Sequence, residues 1–214
     1  MWKETRIRQN NGNVVKGLLL LVLLVLSWIL SVGIPHAQAA MLQKGISREV
    51  LRFHVLANSD SLADQAVKLK VRDDVLRWLE QELTEEEQGD LVLMEQKINK
   101  LLPQIEQHGK EVLRENGFSY TVTASLSRDY FPEKTYGDCT FPAGIYTALR
   151  ICLGEAQGQN WWCVLFPRLC FMDCVHAVLP EQSQEELKNV LTEEEYESLF
   201  DPAKDEYRIC FRYF

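Results

Sequence analysis

The sequence predicts an α+β single domain, mainly antiparallel in its sheet, carried behind an N-terminal apolar helix. Three observations predict it. Leu18 to Leu30 is apolar throughout except for Ser27. Two long stretches, from Leu62 and from Leu91, space their apolar residues by three and four, the period of a helix with one buried face. Before and after them stand short segments of two-residue alternation, clearest from Phe118 to Arg128, the period of half-buried strands. Sheet plus helices in one layer arrangement follows.

The N-terminus is read first because it sets the compartment. Lys3, Arg6, Arg8 and Lys16 stand against one acid, Glu4, ahead of the apolar run. Ser31, Gly33 and Pro35 follow it, then the small-x-small site Ala37-Gln38-Ala39. A charged region, an apolar region and a peptidase site in that order mark an export signal. Residues 17–34 are also just long enough to stay as a membrane anchor. Residues 1–39 are therefore a signal peptide or anchor, and residues 40–214 the exported domain.

The 214-residue chain has a formal charge of −8. Loss of residues 1–39 removes four basic residues and one acid, leaving −11. Such a surface repels phosphate backbones, which argues against nucleic-acid binding.

The elements follow in order. Val50 to Ala57 reads as a strand that contains His54. Asn58-Ser59-Asp60-Ser61 is a turn, and Ser61 with Asp64 resembles a capping box. A helix runs from Leu62 to about Leu83 on a stripe of Leu69, Leu76, Leu79 and Leu83. A second spans Leu91 to Glu115, with Met94, Ile98, Leu101, Leu102, Ile105, Val112 and Leu113 inward. Pro103 is expected to kink or split it, and Asn116-Gly117 to stop it. Phe118 to Arg128 is a strand with one wet face. Phe131 to Gly144 is a loop with a turn at Tyr136-Gly137-Asp138. Ile145 to Leu153 and Trp162 to Phe166 are strands, Glu185 to Leu199 an acidic helix with Thr192 capping its second half, and Tyr207 to Phe214 a closing strand.

Chemistry-bearing residues are few. His54 and Cys163 have the types for a Cys/His envelope hydrolase, the alternative reading of the chain. Cys163, Cys170, Cys174 and His176 lack the paired knuckles of a structural zinc site, so no metal is assigned. Lys68, Lys70, Arg72, Asp73 and Asp74 read as the solvated face of the first helix. No motif calls for a cofactor. Six cysteines in an exported chain suggest pairing, with Cys163 and Cys170 the favoured local disulfide. Trp161 and Trp162 face opposite ways if they lie in a strand, so one is either an interface anchor or part of the core with its neighbour.

Several of these segments carry a family resemblance. Leu51-Arg52-Phe53-His54-Val55-Leu56-Ala57-Asn58-Ser59-Asp60, Asp64-Gln65-Ala66 and Lys68 to Asp73 resemble the opening of the stage II sporulation protein R family. Tyr136-Gly137-Asp138, Pro142-Ala143-Gly144 with Tyr146, Ala148-Leu149-Arg150, and Asn160 through Phe171 continue it in order. The family commonly has a second proline where Arg168 stands and a glycine where Ala156 stands; Cys163 and Cys170 match its pair. The resemblance implies a signal made in the forespore and exported into the space between the forespore and mother-cell membranes. There it triggers a membrane-bound aspartic-type protease that processes the sigma-E precursor. Such a protein is an activator and not an enzyme. The candidate contact residues are His54, Asn58, Ser59, Asp60, Tyr136, Gly137, Asp138 and Trp161.

Overall fold

The structure, a computed structural model, describes residues 16–171 and 178–200. The expected strand Tyr207–Phe214, and Cys174, His176 and Cys210, lie outside them. The chain divides into two compact units, Met1–Leu42 and Gln43–Phe214.

In the first unit, helix α1 (Lys16–Glu49) begins; it passes through a π-helical turn at Ile29–Gly33 and its last turns, from Gln43, belong to the second unit. Leu18 to Leu26 are each about half exposed or more. By length and composition this is a helix able to cross a membrane, compatible with a signal or an anchor.

In the second unit, four strands form a sheet in the order β2-β5-β1-β6. They are β1 (Leu51–Leu56), β2 (Val122–Phe131), β5 (Gly144–Leu153) and β6 (Asn160–Phe166). β1 runs parallel to β5; the β2–β5 and β1–β6 pairs are antiparallel. Helices α2 (Leu62–Glu82) and α4 (Leu91–Glu115) cover one face, joined by the short α3 (Glu85–Gly89). Phe53, Val55, Leu149 and Ile151 meet Val71, Leu79, Ile98 and Ile105 there.

The other face is covered in part as well. A hairpin of β3 (Lys134–Tyr136) and β4 (Cys139–Phe141), the end of α1 at Ile46, α5 (Glu181–Val190) and α6 (Glu193–Leu199) bury Val50, Tyr146, Ala148 and Val164. β1 is buried on both sides: Leu51, Phe53 and Val55 face the helices, while Arg52 and His54 are the polar residues buried on the other face. Only the β2 side of this face stays polar, with Thr123, Ser125, Ser127 and Asp129 partly open.

Several boundaries differ from expectation, each for a local reason. α2 buries Val67, Val71 and Val75 and leaves Leu69 39 % exposed. Leu76, Leu79 and Leu83 of the expected stripe are buried, and the valine row at four-residue spacing that leads into Leu79 takes the place of Leu69. Pro103 neither splits nor ends α4; it sits on the exposed side, where the carbonyl it cannot bond reaches solvent. Gly117 takes the left-handed φ of +81° that closes α4. Phe118 donates its amide to Leu113 O at 2.9 Å and so belongs to the helix stop, and β2 starts only at Val122. The acidic C-terminal helix is two helices, because Leu191 leaves helical geometry and Thr192 caps a new start with a capping box to Glu195. Glycine at 137, φ +62°, turns the expected loop into the β3–β4 hairpin.

Candidate functional site

The segment Arg52 to Asp64 supplies most of the candidate site, and β1 sends its side chains to two faces. Where β1 ends, Asn58, Ser59 and Asp60 form a clasp. Asp64, in the first turn of α2, accepts hydrogen bonds from Asn58 Nδ2 (3.0 Å), Ser59 Oγ and Tyr120 Oη (3.0 Å), and donates its amide to Ser61 Oγ (3.1 Å). The Ser59 and Asn58 bonds hold its carboxyl below the usual carboxylate range.

The same turn grips the loop between β5 and β6. Asn58 Oδ1 accepts from the Glu155 amide (3.0 Å), and Asp60 Oδ1 from the Gln159 amide (2.8 Å). Lys68 Nζ reaches Gln159 O at 2.9 Å and Gln65 Oε1 at 2.6 Å. Lys68 is only 4 % exposed, and burial lowers its pKa. It is therefore part of the clasp and not of a solvated face, a correction to the sequence reading. The spacing of a lysine one helical turn after Asp64 shows no such inward role by itself.

The Tyr136-Gly137-Asp138 turn is also committed internally. Asp138 Oδ1 accepts the Leu179 amide at 2.8 Å, and a side chain at Gly137 would press on the backbone of Val178 and Leu179. Tyr136 Oη accepts from Arg52 Nη2 at 3.1 Å. Arg52, fully buried, donates Nε to Cys163 O at 3.0 Å. Its guanidinium lies 4.5 Å from the ring centre of Phe131, 5.0 Å from Tyr146 and 5.2 Å from Phe141. No carboxylate pairs with it among the described residues; the π-faces and two acceptors offset part of its desolvation, and Nη1 finds no acceptor among the described residues. Arg52 thus holds the hairpin to the sheet. Its only sequence signal was a charge inside an apolar strand.

His54 is 4 % exposed, stacked on Trp162 at 5.0 Å and 10°. Its Nε2 lies 3.3 Å from Asp129 Oδ2, and Asp129 also accepts from Ser127 Oγ (2.6 Å) and Arg150 Nη1 (3.3 Å). Burial lowers the His54 pKa against the raising pull of Asp129. Sequence reading missed Asp129 and Arg150, which lie 75 and 96 positions along the chain and meet His54 only through strand pairing.

His54 and Cys163 do not form a nucleophile–base pair. His54 is paired with Trp162, and Cys163 with Phe53, so the ring and the thiol leave their strands on opposite faces. The Cys163 thiol instead approaches Val164 O at 3.8 Å, and the Cys170 thiol donates to the same oxygen at 2.8 Å. Trp161 packs edge-on against Phe53 at 5.6 Å, with the Arg72 guanidinium 4.7 Å over its ring. It is half-buried, on the helix side, while Trp162 faces the other layer. Ala37 and Ala39 are exposed on α1.

Comparison with known proteins gives the same family. A family model described as stage II sporulation protein R matches residues 47–176. The stage II sporulation protein R of Bacillus subtilis (strain 168) is 35 % identical over 164 residues, 74 % of this chain and 70 % of that protein. No solved structure matches. The match spans the clasp, Arg52 with the rings around it, and β6 together, and the chain belongs to the stage II sporulation protein R family.

Proposed function

We propose that this chain is an exported intercellular signal of sporulation, made in the forespore and acting in the space between the forespore and mother-cell membranes. Its partner is a membrane-embedded aspartic-type protease, which it engages from the extracytoplasmic side and which then processes the sigma-E precursor in the mother cell. Family membership carries this reading; the apolar helix at the N-terminus supports export. Cleavage after Ala39 would release residues 40–214, and retention of residues 17–34 would tether them.

In this proposal the protein is a ligand. To activate a protease it must bind the active state more tightly than the inactive one. The turns Asn58–Asp60 and Tyr136–Asp138 serve it by fixing the loops and the hairpin, since their polar side chains are already engaged within the fold. His54 and Trp161 hold the two faces of β1 and β6 in the same way.

The test is reconstitution in a non-sporulating host. The chain, the candidate protease and the sigma-factor precursor are co-expressed, and precursor cleavage is followed on a blot. Cleavage that depends on all three supports the reading; its absence with folded, exported protein contradicts it.

A further inference from the structure

The two outer edges of the sheet are treated differently. At β6, the 3-10 turn Leu169–Phe171 packs alongside the strand. At β2, all ten residues pair with β5 in continuous register, from Val122 opposite Leu153 to Phe131 opposite Gly144. Among the described residues the outward edge is engaged at one point, where the Ala124 amide donates to Glu106 Oε1 at 3.0 Å. Strand geometry repeats every two residues, so the amides of Leu126, Arg128 and Tyr130 point outward too. No described group accepts from them.

An edge of this length, with no proline and no bulge, is a template for another strand. A groove runs beside it, walled by Glu95, Gln96 and Asn99 of α4 and floored by Leu126, Arg128 and Thr147. Beyond the groove the cross-strand pair Tyr130 and Ile145 is 61 % and 43 % exposed. Two charges in the groove form no ion pair among the described residues: Glu95, partly buried with its carboxyl pushed up by that burial, and the exposed Arg128.

We propose that the outer edge of β2, from Leu126 to Tyr130, receives an extended strand of the receptor's extracytoplasmic region. This rests on the signalling reading above. The strand pairs its backbone with the open amides, sets apolar side chains on Leu126, Tyr130 and Ile145, and brings a basic side chain to Glu95 and an acidic one to Arg128. Backbone pairing of this kind supplies affinity while the alternate side chains supply selectivity. The charge pattern fixes register.

Two variants test it in the same three-component host. Arg128→Pro removes one outward amide without touching the bonds to β5, a substitution that edge strands accept. Glu95→Lys reverses a carboxylate that has no ion-pair partner among the described residues. Each is expected to cut precursor cleavage, and co-purification of receptor with the exported protein, by about tenfold or more while export and circular dichroism stay unchanged. Wild-type cleavage and co-purification by both variants would overturn the edge assignment. If Arg128→Pro does not fold, Glu95→Lys decides alone. A dimer of this chain that Arg128→Pro breaks while cleavage persists would assign the edge to a second copy, and would also overturn the proposal. Absence of cleavage with the unaltered chain would instead remove the signalling reading and this inference with it.

Discussion

Asp64 shows how much one side chain carries. It ends three hydrogen bonds from Asn58, Ser59 and Tyr120 and sits inside the helix cap. Asp64→Ala leaves those partly buried donors without this acceptor, and is expected to destabilise by about 1–3 kcal/mol. Urea unfolding measures it, and limited proteolysis should then cut first in residues 154–159. Ala156 is the opposite case. It holds φ +52°, a conformation that costs an L-residue roughly 1–2 kcal/mol. Ala156→Gly is expected to raise stability by about 0.5–1 kcal/mol after the entropy of glycine is counted; an unchanged urea midpoint would contradict it.

His54 gives a pH dependence with a definite sign. Its neighbours are Asp129, Arg150, Asn160 and the rings of Trp162 and Phe131, and burial leaves its pKa below the ordinary 6.5. The unfolded chain therefore takes the proton first as pH falls. Stability from this group is complete above about 6.5 and declines as pH drops from there through the lowered folded value. Urea midpoints at pH 7.5 and 5.5, in the wild type and in His54→Gln, isolate the effect: the variant should lose less on acidification.

At the scale of elements, β6 and its following turn bring Cys163 and Cys170 to one carbonyl oxygen. In the oxidising extracytoplasmic setting proposed above, this pair is expected to close as a disulfide. Alkylation of the exported protein without reductant, followed by peptide mapping, checks it: a linked 163–170 peptide is expected, and two alkylated thiols would refute the bridge.

The elements also show what could be read from the chain. Ser61 and Thr192 caps, the Gly117 stop and the β1, β5 and β6 strands were legible because each depends on neighbours in sequence. The inward roles of Lys68 and Arg52 were not. A buried cation is disfavoured until the fold supplies Gln159 O, Cys163 O and the rings of Phe131 and Tyr146, all distant in sequence. The shift of β2 by a few residues has the same origin: Tyr120 alternates correctly but is drawn to Asp64 instead of the sheet. Of the site, the turns were found as motifs, while their work as internal clasps required the strand pairing.

For the whole molecule, an acidic domain with its polar motifs turned inward fits a ligand that presents backbone and shape to a receptor. Precursor cleavage in the non-sporulating host decides between that role and a catalytic one. The comparison uses the full chain, a version lacking residues 1–39, and a His54→Ala, Cys163→Ser double variant checked for folding and export. Cleavage that is lost without residues 1–39 yet persists in the double variant is the expected result. Cleavage lost in a folded, exported double variant, or retained without the export segment, would contradict an extracytoplasmic, non-catalytic signal.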